Sequence, residues 1–386
     1  MKKQLTVALG LAVLATPVFA SKARLQALGE DSYGSAYIND NRNIWLNAAQ
    51  INNHKDLVTY EFGGEQTRDE AATARGEGGV YKAHGNFVYG LHFGGASNTA
   101  NGLRAGSGLA GADENNNVDV FMGGDAGMKW GANLGYAKES NEVRANGASS
   151  ESMRTRLGVI MGDTQVYGNI NLINNAKGTN GAKFEGDLGY QVGAIHAWEG
   201  NTLFADYRSF DAENTSAAKV KNDISLSQLE VGIGRVERLN DKTNLFAKAS
   251  FLMANVENDR LKGLAPGQFG GACDTGLDAI ACEEFSTSRV PVVVGIETEA
   301  TSWLTLRASV AQAIWGSEED KNNERSIANS TAINAGATLK FGELSVDGVI
   351  GNGDATSAVA GEDTSAGNGT IRTDSLMSRV SMTYRF

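Results

Sequence analysis

The sequence predicts an all-β fold: a transmembrane, antiparallel up-and-down β-barrel of about 16 strands, preceded by a cleaved leader. Three observations carry this expectation. Apolar residues recur with period two along most of the chain. The connections between these runs alternate between short and long. The chain holds 48 Gly but only 3 Pro.

The alternation is the primary signal. A strand with one face in lipid and the other in a watery lumen must alternate apolar with polar or small residues. In 331–341, Ile333, Ala335, Ala337, Leu339 and Phe341 share one face, and Asn334, Gly336, Thr338 and Lys340 the other. In 228–235, Leu229, Val231 and Ile233 oppose Gln228, Glu230, Gly232 and Gly234. In 153–161, Met153, Leu157, Val159 and Met161 oppose Arg154, Arg156 and Gly158. In 185–198, Leu188, Tyr190, Val192, Ala194 and Trp198 oppose Glu185, Asp187, Gly189 and Gln191. A helix would need period 3.6, which these segments lack.

Tight connections such as Gly162-Asp163-Thr164, Glu199-Gly200-Asn201, Asn240-Asp241-Lys242 and Gly342-Glu343 alternate with long polar ones at 96–117, 140–151, 211–222, 257–284, 317–329 and 353–372. Bacterial barrels have short turns on one side of the membrane and long loops on the other. The expected strands are 57–63, 77–83, 87–95, 118–126, 129–139, 152–161, 164–175, 182–197, 202–211, 223–238, 243–256, 285–299, 302–314, 330–341, 344–351 and 373–386. The first three are the least patterned, so 14 strands is the alternative count. Abundant Gly without Pro and without a collagen period suits a crowded strand wall. Trp130, Trp198, Trp303, Phe341 and Phe386 fall beside short turns, where a membrane interface favours rings. Strict alternation would turn Trp303 into the lumen, unless a bulge intervenes.

Residues 1–20 read as a secretory signal peptide: Lys2 and Lys3, an apolar run from Leu5 to Leu14, Pro17, and a small exit residue at Ala20. That run is too short to span a bilayer as a helix, and cleavage after Ala20 is expected. Residues 57–386 form the barrel. Residues 21–56 fit no strand pair well. They read as a periplasmic cap, a plug packed into the barrel mouth, or one or two additional strands. The formal net charge of −11 becomes −13 once Lys2 and Lys3 leave, which argues against nucleic acid as a partner. Cys273 and Cys282 form an even pair in an exported chain and read as a disulfide stapling one loop. No His lies near them, so no metal site is expected there.

The terminal residues Val380-Ser381-Met382-Thr383-Tyr384-Arg385-Phe386 place Val380, Met382, Tyr384 and Phe386 on one face, with an aromatic residue last. This resembles the terminal strand of outer-membrane porins of Gram-negative bacteria. The resemblance implies a cell outer-membrane location, lipid as the solvent of the outer face, and recognition of those four residues by the barrel-assembly machinery. Arg24-Leu25-Gln26-Ala27-Leu28-Gly29 and Asn43-Ile44-Trp45-Leu46-Asn47 resemble the start of major porin-like proteins of predatory Gram-negative bacteria. Trimeric porins fold an acidic third loop into the pore. The corresponding loop here, 140–151, has Glu142 and Glu151 but no such motif, so neither the constriction nor homo-oligomer assembly carries over.

Charged residues that alternate with apolar neighbours are expected inside, because Arg or Lys on the lipid face costs roughly 2–4 kcal/mol at midplane. The expected pore-lining set is Arg154, Arg156, Arg235, Arg307, Lys340, Arg379, Glu230, Glu297 and Asp347. Opposed charges across a lumen would bias passing ions. The expected function is a water-filled channel for passive diffusion of ions and small hydrophilic solutes, with no cofactor and no metal. The alternatives are a plugged structural or surface-interaction barrel without transport, and a transporter of one solute class gated by 21–56. No enzyme is expected: His54, His84, His92 and His196 show no pattern of a nucleophile with its base.

Overall fold

The computed structural model describes residues 21–64, 76–95, 116–141, 147–178, 181–216, 219, 221–258, 284–320, 324–326, 330–351, 370–371 and 377–386. They form a closed antiparallel barrel of 16 strands. The strands are β1 (Leu57–Gly64), β2 (Gly76–His84), β3 (Phe87–Phe93), β4 (Asn117–Asp125), β5 (Lys129–Asn141), β6 (Ala148–Met161) and β7 (Thr164–Lys177). Next come β8 (Lys183–Gly186 and Gly189–Trp198), β9 (Asn201–Thr215), β10 (Lys221–Asn240), β11 (Thr243–Asn258) and β12 (Glu284–Thr301). The last are β13 (Leu304–Asp320), β14 (Glu324–Ser326 and Ser330–Phe341), β15 (Leu344–Gly351) and β16 (Met377–Arg385). A two-residue piece, Thr370–Ile371, lies alongside Ser330 and Thr331.

Closure joins β1 to β16, from Leu57 opposite Arg385 to Gly64 opposite Ser378. Among the described residues no strand edge is left unpaired around the ring, as a bilayer requires of any sheet. The alternation sorts residues as expected. Val58, Tyr60 and Phe62 face outward on β1, and Val380, Met382, Tyr384 and Phe386 do the same at the end of the chain. Between them, Thr59, Glu61, Ser381 and Thr383 are buried inside.

Local departures from alternation have physical causes. In β8 the phase changes at the interruption: Phe184 faces in on one side, Gly189 on the other. Glu185 therefore faces out, contrary to the expectation from even alternation. Pro291 has no N–H to give the ladder, and a register shift between Val290 and Pro291 absorbs it. Opposite that shift, both Ile314 and Trp315 face outward. A second shift between Glu299 and Thr301 leaves Trp303 in the tight turn, half-exposed rather than in the lumen.

Residues 21–56 add no strand. They form a short helix, α1 (Lys22–Ala27), and two 3₁₀ turns, Asn41–Trp45 and Ala48–Asn52. Each begins with a polar cap: Ser21 Oγ accepts from Arg24 N, Asp40 from Arg42 N, and Asn47 from Ala49 N. The segment lies within the ring of strands. α1 packs on β13 to β16, and the second 3₁₀ turn on β3 to β6.

The second turn sits on a row of glycines. Gly123 pairs with Gly131, and Gly131 with Gly158, across β4, β5 and β6. A Cβ on Gly131 would strike the Ala48 carbonyl, and one on Gly158 the Asn47 side chain. Gly131→Val is therefore expected to lift residues 47–52 from the wall while leaving the strands paired. Faster limited proteolysis within 40–55, with unchanged heat-modifiable migration of the barrel, checks this.

Candidate functional site

The lumen, and the inner segment that occupies it, form the candidate site. Apolar contacts seat the segment on two sides. Ile44, Trp45 and Ile51 pack with Leu57, Tyr81, Val88 and Phe121 of the wall, while Leu25, Leu28, Tyr37 and Ile38 pack with Phe246. Trp45 is the central anchor. Its ring lies between the guanidinium of Arg42 at 5.1 Å and that of Arg156 at 4.9 Å. It meets His92 and Phe121 edge-on at 4.9 and 5.3 Å. Such cation–ring contacts gain strength where water is excluded.

Two charge networks tie the segment to the wall. In the first, Arg24 reaches Asp40 at 3.1 Å and Glu297 at 2.9 Å. Glu297 also binds Arg307, which continues to Asp347 at 3.2 Å and to Thr338. In the second, Lys22 pairs with Glu77 at 2.7 Å, and Arg42 bridges Glu77 at 2.7 Å and Glu61 at 3.5 Å. The Lys22 amide also donates to Glu61 at 3.1 Å. Further round, Asp119 of β4 accepts from Arg154 at 3.0 Å and Arg156 at 3.4 Å.

Between the inner segment and β6 to β11 lies a cavity of about 200 Å³. Acidic Glu30, Asp31, Asp206 and Glu230 border it together with basic Arg156, Arg208 and Lys248. Lys248 pairs with Glu30 at 2.8 Å, Arg208 with Asp206 at 3.4 Å, and Tyr167 donates to Asp206 at 2.6 Å. Burial pushes the Glu30 carboxyl above its ordinary range, against the pull of Lys248.

The residues predicted from sequence divide into four groups. Arg154, Arg156, Arg307, Glu297 and Asp347 face inward, each tied into the charge networks. Glu230 borders the cavity. Arg379 faces inward beside Glu61, and Lys340 pairs with Glu299 at 3.2 Å. Arg235 is a correction. It shares the phase of Leu229, Val231 and Ile233 and lies exposed on the outer face near the short turns, paired with Glu237 and donating to Asn201 Oδ1. Water and headgroups at the rim satisfy it there, so the midplane cost does not apply. Cys273 and Cys282 lie outside the described residues.

Sequence reasoning missed Trp45, Arg24, Arg42, Arg208 and Lys248 as site residues. For Arg208 and Lys248 a signal existed. Each shares phase with buried neighbours, Phe204 and Asp206 for one, Phe246 and Ser250 for the other.

His92 is wholly buried, its Nδ1 sharing a 2.8 Å hydrogen bond with Tyr81 Oη, and its Nε2 lying 4.0 Å from Glu77. These contacts tie β2 to β3 inside the ring. Among the described residues no group of His, Cys, Asp and Glu has the arrangement of a metal site.

His54, at the foot of the inner segment, is buried and its Nε2 has no hydrogen-bond partner among the described residues. Burial first, then Arg385, Arg24 and Lys129, push its imidazole from 6.5 down to about 3. A base held below its ordinary value stabilises the fold fully above about 6.5, and that contribution is lost as pH falls toward 3. Docking of the segment is expected to weaken over this window by up to about 1.4 kcal/mol per pH unit. Glu30 and Asp40, both raised chiefly by burial, act in the opposite sense. Denaturation midpoints of the native chain and of His54→Gln across pH 7 to 4 isolate the histidine; the variant should show the shallower loss.

No family model matches this chain, and no curated protein matches it. Solved structures resemble it at low identity. A bacterial polysaccharide outer membrane secretin is 10% identical, with a TM-score of 0.45 over 86% of this chain and 97% of its own. A porin is 12% identical, with a TM-score of 0.40 over 86% of this chain and 99% of its own. The toluene transporter TodX of Pseudomonas putida is 12% identical, with a TM-score of 0.40 over 96% of this chain and 99% of its own.

Proposed function

We propose that this chain is an outer-membrane channel, narrowed by residues 21–56, that passes ions and small hydrophilic solutes down their gradients. The observation that carries the reading is the cavity beside the inner segment, bordered by carboxylates and cations facing one another. A channel needs a hydrated route with fixed charge, and opposed rows of unlike charge favour small polar solutes over apolar ones. An acidic chain behind a secretory leader, ending in outward Val380, Met382, Tyr384 and Phe386, fits assembly into the outer membrane by the barrel machinery. Lipid covers the apolar outer face, and homo-oligomers form through that same face if they form at all. The reading requires no cofactor, nucleic acid or catalytic step.

The test is single-channel conductance of the mature chain in a planar bilayer, with neutral sugars of graded size. Small stepwise openings are expected. Glu230→Gln should shift selectivity toward anions, and Arg208→Gln toward cations. A folded barrel that never conducts would replace this reading with that of a plugged structural or surface-interaction barrel.

A further inference from the structure

The first charge network ends on a buried carboxylate oxygen that lacks a donor. Asp40, Arg24, Glu297, Arg307 and Asp347 form a continuous chain of three carboxylates and two guanidiniums. Every member is buried or nearly so, and uncompensated charge in such a place is costly. The second network pairs Lys22 and Arg42 with Glu61 and Glu77, and Arg379 beside it acts on Glu61. What is missing is a donor at the Asp347 end, where Asp347 Oδ2 is buried without any hydrogen-bond partner among the described residues.

Strand register shows what adjoins that oxygen. Glu61, Ser381, Asp347, Thr338 and Thr305 form one inward row across β1, β16, β15, β14 and β13. The start of α1 lies on this row. Ser21 lies against Asp347, while the next amide, that of Lys22, donates to Glu61 at 3.1 Å. Ser21 is thus placed between two carboxylates and is itself fully buried. In the next row, Thr59 and Ser345 flank Thr383, and both of their hydroxyls lack partners. This is a buried niche with carboxyls on both sides of one residue.

We propose that the α-ammonium of Ser21, formed when the leader is cut after Ala20, is the donor that Asp347 Oδ2 lacks, and that it locks the inner segment into the barrel by pairing with Asp347. Signal peptidase hydrolysis consumes one water and breaks the Ala20–Ser21 amide. Ala20 leaves with the new carboxylate, and the amine left on Ser21 takes up a proton. A neutral amide with one N–H becomes a cation with three donors, beside an Asp347 Oδ2 that lacks one. Processing and closure of the lumen are thereby coupled. The precursor lacks that ammonium, and only the cut chain can bring it to Asp347. The inference does not depend on whether the barrel conducts.

The experiment compares two refolded forms of the mature chain, one with a free Ser21 amine and one α-acetylated at Ser21, each also in an Asp347→Asn background. In the free form, an amine-reactive reagent should label the α-nitrogen at least about 100-fold more slowly in the folded than in the unfolded chain, as for any group reached only by opening. Acetylation should speed proteolysis within 21–40 in the native background and change it little in Asp347→Asn. Three results would overturn the proposal. One is outer-membrane protein whose intact mass shows a first residue other than Ser21. Another is α-amine labelling at the unfolded rate. The last is an effect of acetylation that is absent, or the same in both backgrounds. The labelling arm needs no variant, so a failure of Asp347→Asn to fold leaves the proposal testable.

Discussion

Removal of residues 21–52 from the mature chain is expected to leave a folded barrel whose single-channel conductance is several-fold higher and whose ion selectivity is weaker. The hydrogen bonds that close the ring run from Leu57 to Gly64 against β16 and owe nothing to the inner segment. Asp56, which accepts from Phe386 N and pairs with Lys82 at 2.9 Å, is retained, so the seam keeps its rim contacts. Inward carboxylates such as Glu61, Glu77 and Glu297 lose buried partners. In a flooded lumen they regain hydration, which removes most of the penalty of an unpaired buried charge. The apolar wall residues Tyr81, Val88, Phe121 and Phe246 also become wet, at a cost near 25 cal/mol per Å² exposed. The truncated barrel should therefore melt at a lower temperature while still shifting on gels as a closed barrel. Unchanged conductance in a folded truncation would show that the segment does not obstruct the route.

The wall was far more legible in the sequence than its contents. The expected strand runs coincide with all sixteen observed strands to within six residues at either end, because lipid imposes period-two alternation over a long stretch of chain. Irregularities such as the phase change between Gly186 and Gly189 are invisible to a rule that extrapolates phase, and Glu185 was misplaced for that reason. Arg235 shares the outward phase of Ile233, so its charge alone points the wrong way. The inner segment was harder, since its short turns carry no period. Lys22, Arg24 and Arg42 look like surface residues, yet all three are buried because β1, β2 and β12 supply carboxylates. That complementarity spans up to 273 positions of sequence and exists only once the ring has closed. The glycine row at 123, 131 and 158 could have been suspected, since inward glycines on three successive strands mark a place where backbone approaches backbone.

Arg42→Met is expected to undock the inner segment at a cost of about 3–5 kcal/mol, the range for removing one partner of a buried ion pair. Arg42 is buried, joins Glu77 and Glu61, donates to the Ser32 carbonyl at 3.0 Å, and covers one face of Trp45. Its loss leaves Lys22 as the cation paired with Glu77, and leaves Glu61 dependent on backbone and hydroxyl donors and on Arg379. Methionine preserves much of the volume and the contact with Trp45, so the cost is chiefly electrostatic. Combining Arg42→Met with Glu77→Gln and Glu61→Gln should recover a large part of it, because neutral amides do not demand a cation. Lys22 would then lack its carboxylate, yet its chain emerges beside the ring of Tyr33, 5.2 Å from the ammonium, which still supports the charge. Denaturant unfolding followed through Trp45 fluorescence, set against the heat-modifiable shift of the barrel, separates undocking from barrel unfolding. If the single and triple variants lose stability equally, packing of the arginine stem rather than its charge holds the segment. If neither loses any, the buried pairs are worth no more than a packed apolar contact at the same place.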